Sequence, residues 1–97
     1  MIDHDTARQR AAAFLAERSR TWGASSRVRI VPEECVVDGG RLIAPYDHVG
    51  YLDEGREELR LAGNLPVRVD LATGECSFAD PGEVDDLVGR GVLWPDD

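Results

Sequence analysis

The sequence predicts an α+β fold: an N-terminal amphipathic helix packed on a four-stranded antiparallel sheet of two hairpins, followed by a short C-terminal helix. Three observations carry that expectation. Apolar residues recur at helical spacing near the N-terminus. Alternating polar and apolar residues take over in the middle of the chain. Short turn signals, not helices, join the strand-like runs, which implies antiparallel pairing.

Ile2 and Asp3 read as a staple residue and an N-cap, and Asp5 adds negative charge to the first turn. Ala7, Ala11, Phe14, Leu15 and Arg18 then form a stripe with an amphipathic end. The Ala11-Ala12-Ala13 run has high helix propensity. Gly23, Ser25 and Ser26 end the pattern, and Trp22 is expected to cover the helix end.

Arg27-Val28-Arg29-Ile30 alternates as a half-buried strand does, and Pro32 interrupts it at an edge or a bulge. Strand character resumes at Cys35-Val36-Val37. Asp38-Gly39-Gly40 turns the chain, and Leu42 to Tyr46 returns as the partner strand. From Asp47 to Asn64 the pattern weakens, punctuated by Gly50, Gly55 and Gly63. The charged run Asp53 to Glu58 reads as a solvated loop or a short surface helix. Leu65, Val67, Val69 and Leu71 share one strand face. Asp70 to Gly74 is a tight connection, with Asp70 accepting from loop N–H groups and Gly74 free to take a positive φ. Glu75 to Ala79 is the paired strand, with Cys76 and Phe78 inward. Asp80 as N-cap, Pro81 at the first helical position and Glu83 in a capping-box-like place start the last helix. Val84, Leu87 and Val88 supply its apolar face, and Val92-Leu93-Trp94 a final apolar patch. No repeat or linker divides residues 1–97, so one domain is expected.

Charge narrows the function classes. Nineteen acidic side chains stand against eleven basic ones, a formal net charge of −8, and every basic residue is an arginine. Nucleic-acid binding needs clustered cations on phosphates, so this balance points away from it and towards a partner with a basic face. No apolar run approaches the roughly 18–20 residues of a membrane span. Met1 to Asp5 lacks the basic and apolar regions of a secretory leader, so a cytoplasmic location is expected.

The residues for catalysis are thin. Cys35 and Cys76 lack CxxC spacing and read as small half-buried hydrophobes; a disulfide would require the fold to bring them together. His4 sits in the first helical turn. Asp47 and His48 are adjacent on a strand, where neighbours point to opposite faces. The carboxylates lack metal-ligand spacing, and no glycine-rich turn leads into a helix to hold a phosphate. No catalytic residue, metal or cofactor is expected, and the reading is a non-enzymatic one.

Tyr51-Leu52-Asp53-Glu54-Gly55, then Leu61-Ala62-Gly63-Asn64-Leu65-Pro66, then Val67 through Asp70-Leu71-Ala72-Thr73-Gly74-Glu75 form a spaced set of motifs. The set resembles the YrhB-like small bacterial proteins, also grouped as the immunity protein 35 family. The likeness spans residues 2–90, with its specificity concentrated in residues 42–75. Arg41-Leu42 stands where the family often begins a strand with an aromatic residue, Arg56 follows Gly55 where Asp is usual, and Cys76 replaces the usual Val. The resemblance implies an immunity protein made beside a toxin, or a chaperone-like general interaction module; neither role requires catalysis. The Gly63-Asn64, Pro66 and Asp70–Gly74 positions themselves read as turn and strand-start chemistry, with Asn64 also a candidate partner contact.

The candidate partner-binding residues follow from charge and aromatic exposure. Asp53, Glu54, Glu57 and Glu58, with the Asp85-Asp86 turn, suit a toxin domain with a basic face. Tyr51 and Trp94 are the candidate aromatic anchors, since interface hot spots favour Trp and Tyr.

Overall fold

Two antiparallel sheets and three helices make up the computed structural model, which describes residues 1–61 and 64–94. The elements are α1 (His4–Ser19), β1 (Val28–Ile30), β2 (Val36–Asp38), β3 (Arg41–Ala44), β4 (Tyr46–His48), α2 (Val49–Glu54), β5 (Val67–Asp70), β6 (Cys76–Phe78) and α3 (Pro81–Gly89). Short 3-10 turns cover Gly23–Ser26, Pro32–Glu34 and Glu57–Leu59. The expected architecture is present: an N-terminal helix, a four-stranded antiparallel sheet ordered β2-β3-β5-β6, and a short C-terminal helix. The two expected hairpins, β2–β3 and β5–β6, lie side by side, joined by the β3–β5 pairing of Leu42 with Val69 and Ala44 with Val67.

The helix α1 starts where its cap chemistry says it should. Asp3 is extended, and its Oδ1 accepts from the Thr6 N–H at 2.7 Å. Ile2 is stapled to the sheet, its N–H donating to the Leu71 carbonyl at 2.8 Å. Ala7, Ala11 and Leu15 are buried as the stripe requires. The small alanines let the helix approach the sheet. Phe14 and Arg18 take the flank, with the Arg18 guanidinium 4.9 Å from the Phe14 ring centre. Ser19 is buried too, donating back to the Ala16 carbonyl, a role that apolar periodicity does not register.

Both hairpin turns form as their residues dictate. Gly39 and Gly40 carry φ of 57° and 80°, the paired left-handed conformations of a two-residue turn between Asp38 and Arg41. In the β5–β6 loop, Asp70 Oδ1 accepts from the Ala72 N–H at 2.8 Å, and Gly74 sits at φ 79°. Asn64 and Pro66 of the Gly-Asn-x-Pro motif are in place ahead of β5, whereas Gly63 lies outside the described residues.

Period-2 alternation gives the sheet two covered faces. Leu42, Ala44, Val67 and Val69 face α1, joined by Leu15, Ile30, Tyr46 and Leu71 in the larger core. Phe14, Trp22, Tyr46 and Phe78 form an aromatic cluster at its rim, with ring centres 5.1 to 6.2 Å apart. Trp22, at the exit of α1, packs into the main core beside Tyr46 and Phe78. Ile43 points the other way, into a smaller core with Leu87 and Leu93, so α3 covers the second face.

The structure departs from the sequence reading at several places; Val88, expected on the apolar face of the last helix, is 43% exposed, and four larger departures concern the strands and the start of α3. First, the strand run Arg27–Ile30 is not part of the four-stranded sheet. Pro32 opens a 3-10 turn there, and β1 pairs instead with β4, Ile30 opposite Tyr46. Second, the return strand Leu42–Tyr46 is broken at Pro45, which cannot donate to a ladder; its carbonyl accepts from the Val31 N–H at 2.9 Å. β3 and β4 therefore serve different sheets. Third, Leu65 lies ahead of β5, not within it.

Fourth, Glu83 does not complete a capping box, and the Asp80 side chain makes no cap hydrogen bond. Glu83, with its side chain 13% exposed, reaches across to Arg68 at 2.8 Å and also pairs with Arg41. Arg68 additionally donates to the Ser77 hydroxyl at 3.0 and 3.2 Å. At the other end of α3, Arg90 bridges Asp38 and Asp86. These bonds hold the Asp38 carboxyl below the usual carboxylate range and push the Arg90 guanidinium up.

Acid should weaken this fold in a defined way. Asp3 is held low by the Thr6 backbone N–H, Asp53 and Asp38 by hydrogen bonds from Arg29 and Arg90, and Glu58 by a backbone N–H and then Arg56. A carboxyl whose folded pKa is depressed contributes stability above its unfolded value, near 4, and loses it as pH falls through the folded value. Thermal midpoints are therefore expected to be flat between about pH 5 and 8 and to fall below about pH 4. A midpoint unchanged from pH 5 to 2 would contradict these assignments.

Candidate functional site: an acidic groove with aromatic sides

The segment between β4 and β5 builds the site. At its start His48 is 8% exposed, and its Nδ1 accepts from the Gly50 N–H at 2.9 Å, capping α2. That bond requires a ring unprotonated at Nδ1. Gly50 is packed so closely that a Cβ there would lie 2.3 Å from Leu59 Cδ1. Gly55 ends α2 in the left-handed conformation, φ 68°. Asp47 Oδ1 accepts from the Leu61 N–H at 2.8 Å, and Asn64 Nδ2 donates to the Tyr46 carbonyl at 3.0 Å. Two polar side chains thus fold the weakly patterned stretch back onto β4. Replacing His48 by alanine is expected to cost about 1 kcal/mol, the usual worth of a helix cap. Urea unfolding checks this, and an unchanged midpoint would show the cap to be idle.

The folded-back segment leaves an open groove of about 710 Å³. Buried Val31, Pro45 and Tyr46 form its floor. Half-buried Asp47, Tyr51, Leu52, Leu61, Asn64, Leu65 and Val84 line its sides, and exposed Glu34, Glu57, Arg60, Pro81, Asp85 and Trp94 its rim. Burial in the core pushes the Tyr46 phenol up, with Asn64 acting against it. The Arg60 guanidinium lies 5.4 Å from the Tyr51 ring centre. Trp94 is 44% exposed, and its indole N–H donates to Glu34 Oε1 at 2.9 Å. It is also the single non-glycine residue at positive φ (48°) among the described residues. Such a conformation costs free energy and persists only where the surroundings hold it.

Five of the nine candidate residues meet in this groove: Tyr51, Glu57, Asn64, Asp85 and Trp94. The other four do not line it. Asp53 is paired with Arg29 at 2.6 Å, Glu58 with Arg56 at 3.0 Å and Asp86 with Arg90 at 2.9 Å. Glu54 is exposed at the end of α2. The acidic run is therefore split between two surfaces and half neutralised. Asp85 and Asp86 lie within α3, not on a turn, because Pro81 starts a helix that runs on to Gly89. Adjacent helix positions point about 100° apart, which sends Asp85 to the groove and Asp86 to Arg90. Asn64 is bound to Tyr46, the structural use that its motif position suggests.

Sequence reasoning missed Glu34, Arg60 and the apolar floor. Glu34 comes from a 3-10 turn that Pro32 starts, and its link to Trp94 spans sixty residues. Local pattern carries no trace of such a pairing.

The cysteines stand apart. Cys35 precedes β2 and Cys76 lies on β6, the two outer strands of the sheet. Three strand spacings put them about 14 Å apart, beyond a disulfide's reach. Both thiols are free, and burial pushes both up, which keeps them protonated. Among the described residues no group of His, Cys, Asp or Glu is arranged to hold a metal ion, and no helix is long and apolar enough to cross a membrane. Comparison of the chain with protein-family models, with curated proteins and with solved structures returns no match in any of the three.

Proposed function

We propose that this chain is a non-catalytic bacterial immunity-type protein of the cytoplasm, which binds a cognate toxin domain and neutralises it by occlusion. The observation that carries the reading is the groove. Its rim sets three carboxylates, Glu34, Glu57 and Asp85, against the single cation Arg60, and Tyr51 and Trp94 supply large aromatic faces. Glu57 and Asp85 make no ion pair among the described residues, so their charge is available to a partner. Charge complementarity of this kind steers a basic partner and sets its orientation. The motif resemblance to the YrhB-like, immunity protein 35 group supports the same role.

Co-expression tests the reading. The reading frame beside this gene should encode a protein with a C-terminal toxin domain. This chain should restore growth to cells expressing that domain and form a one-to-one complex with it on gel filtration. A neighbouring toxin that kills equally well with and without this chain would overturn the proposal. Suppression of aggregation across unrelated clients, with no tight complex, would replace it with the chaperone-like role.

A further inference from the structure

We infer that the groove is a docking site for an arginine side chain on an extended basic segment of the partner, and that Arg60 is the place-holder it displaces. This rests on the reading of the chain as a protein that binds a basic partner, and it names the chemistry of the contact.

The inference starts from a cation already seated there. The Arg60 guanidinium lies over the face of Tyr51, 5.4 Å from the ring centre, and forms no salt bridge among the described residues. An exposed contact of this type is weak, so exchange with an incoming guanidinium costs little. Around it the rim is acidic. Glu34, Glu57 and Asp85 are exposed and form no ion pair among the described residues, and Glu34 also accepts from the Trp94 indole N–H. The opening thus offers three rim carboxylates without a cation partner among the described residues, and a second aromatic face.

Trp94 supplies an independent observation. A large aromatic side chain stands 44% exposed on a left-handed backbone, with its ring orientation set by a hydrogen bond from the indole N–H. Glycine would be the relaxed choice at such a φ. A strained, exposed and fixed tryptophan on a groove is the form of a preorganised contact, not of a packing residue. A planar guanidinium stacks on aromatic faces and pairs with carboxylates at its edge, whereas an ammonium does only the second. The combination of flat rings and flanking carboxylates therefore favours arginine over lysine. Pocket and charge also exclude an acidic peptide or a nucleic-acid strand as occupant.

The test uses the full chain with hexa-arginine, hexa-lysine and hexa-glutamate peptides at about 0.1 M salt, where long-range attraction to the net negative charge is screened. Affinity is read by titration calorimetry, and position by amide and indole N–H shifts in two-dimensional NMR. Hexa-arginine should bind more tightly than hexa-lysine, hexa-glutamate should not bind, and the largest shifts should fall on the Trp94 indole, Tyr51 and Asp85. Neutralising Glu57→Gln with Asp85→Asn should weaken hexa-arginine binding roughly three- to tenfold, as the loss of two exposed ion pairs implies. Neutralising Glu17→Gln with Glu75→Gln, both exposed and off the groove, removes the same charge and should change it less than twofold. Trp94→Ala should weaken binding without lowering the unfolding midpoint. Arg60→Gln should tighten it about two- to threefold.

Equal loss from the two neutralised pairs, or shifts scattered over the surface, would overturn the docking site. Equal affinity for the arginine and lysine peptides would overturn the stacked geometry. Weaker or unchanged binding by Arg60→Gln would overturn the place-holder. A toxin neutralised through another face would sink this inference while leaving the immunity role intact. Arginine docking in the groove without protection from any toxin would do the reverse.

Discussion

Tyr46→Ala is expected to lower the free energy of unfolding by about 3–4 kcal/mol, the cost of removing a buried aromatic ring. Tyr46 is almost wholly buried, pairs with Ile30 across the β1–β4 ladder, and has its ring centre 6.0 Å from that of Trp22 and 6.2 Å from that of Phe78, in tilted geometries. It is also the floor of the acidic groove. One residue therefore belongs to the main core on one side and to the candidate site on the other. For a domain of this size the loss is a large fraction of a total near 5–15 kcal/mol. Tyr46→Phe keeps the ring and its burial, so it should cost less than about 1 kcal/mol. Chemical denaturation of the three proteins measures both differences. A loss below about 1 kcal/mol for the alanine variant would show that the aromatic cluster is not part of the cooperative core. The contrast with Trp94 is the functional point. Both are aromatic residues of the groove, but Tyr46 is held by the fold and Trp94 is only held in place on its surface. Their alanine variants should separate stability from binding.

That contrast also marks what the amino-acid sequence could tell. Features set by near neighbours were legible. The Asp3 cap, the Asp38-Gly39-Gly40 turn, the Asp70 to Gly74 loop and the Pro81 helix start each depend on residues two to four apart, and each forms as its chemistry requires. The face assignments of Val67, Val69 and Phe78 follow from period-2 alternation and hold as well. What was not legible depends on distant partners. Nothing local says that Ile30 should pair with Tyr46 rather than continue towards Val36, because Pro32 is compatible with a bulge or with a change of sheet. Glu83 three residues after Asp80 has the spacing of a capping box, but two arginines on the sheet below offer it stronger, charge-assisted bonds. The groove is the extreme case. Its rim draws on a 3-10 turn, the segment after α2, α3 and the residue after Leu93, so no window of sequence contains it. The candidate residues were found by type alone, Trp, Tyr and unpaired acid, and type could not separate Asp85, which faces the groove, from Asp86, which faces Arg90.

Glu83→Gln is expected to cost about 2 kcal/mol, a value set between two limits. An exposed ion pair contributes about 0–1 kcal/mol, whereas removing one partner of a fully buried pair costs about 3–5 kcal/mol. Glu83 lies near the buried limit, with its side chain 13% exposed, while Arg68 and Arg41 at 28% and 40% retain part of their hydration. The glutamine variant leaves two guanidiniums under α3 with a weaker acceptor, and water supplies only some of the missing bonds. A double-mutant cycle with Arg68→Gln isolates the pair. A coupling near 1 kcal/mol is expected, with the remainder belonging to Arg41 and to the packing of α3 itself. The consequence should be local as well as global. α3 touches the second sheet face through Leu87, and Glu83 and Arg90 tie down its two ends. Releasing the N-terminal tie should raise amide exchange at Val84 to Leu87 more than in β5. Because Val84 and Asp85 line the groove, the same variant should weaken binding of a basic segment although its own side chain never meets one. A cost below about 0.5 kcal/mol with unchanged exchange would mean that Leu87 and Leu93 hold α3 unaided, and that the Glu83 pairs are surface decoration of the kind that exposed ion pairs usually are.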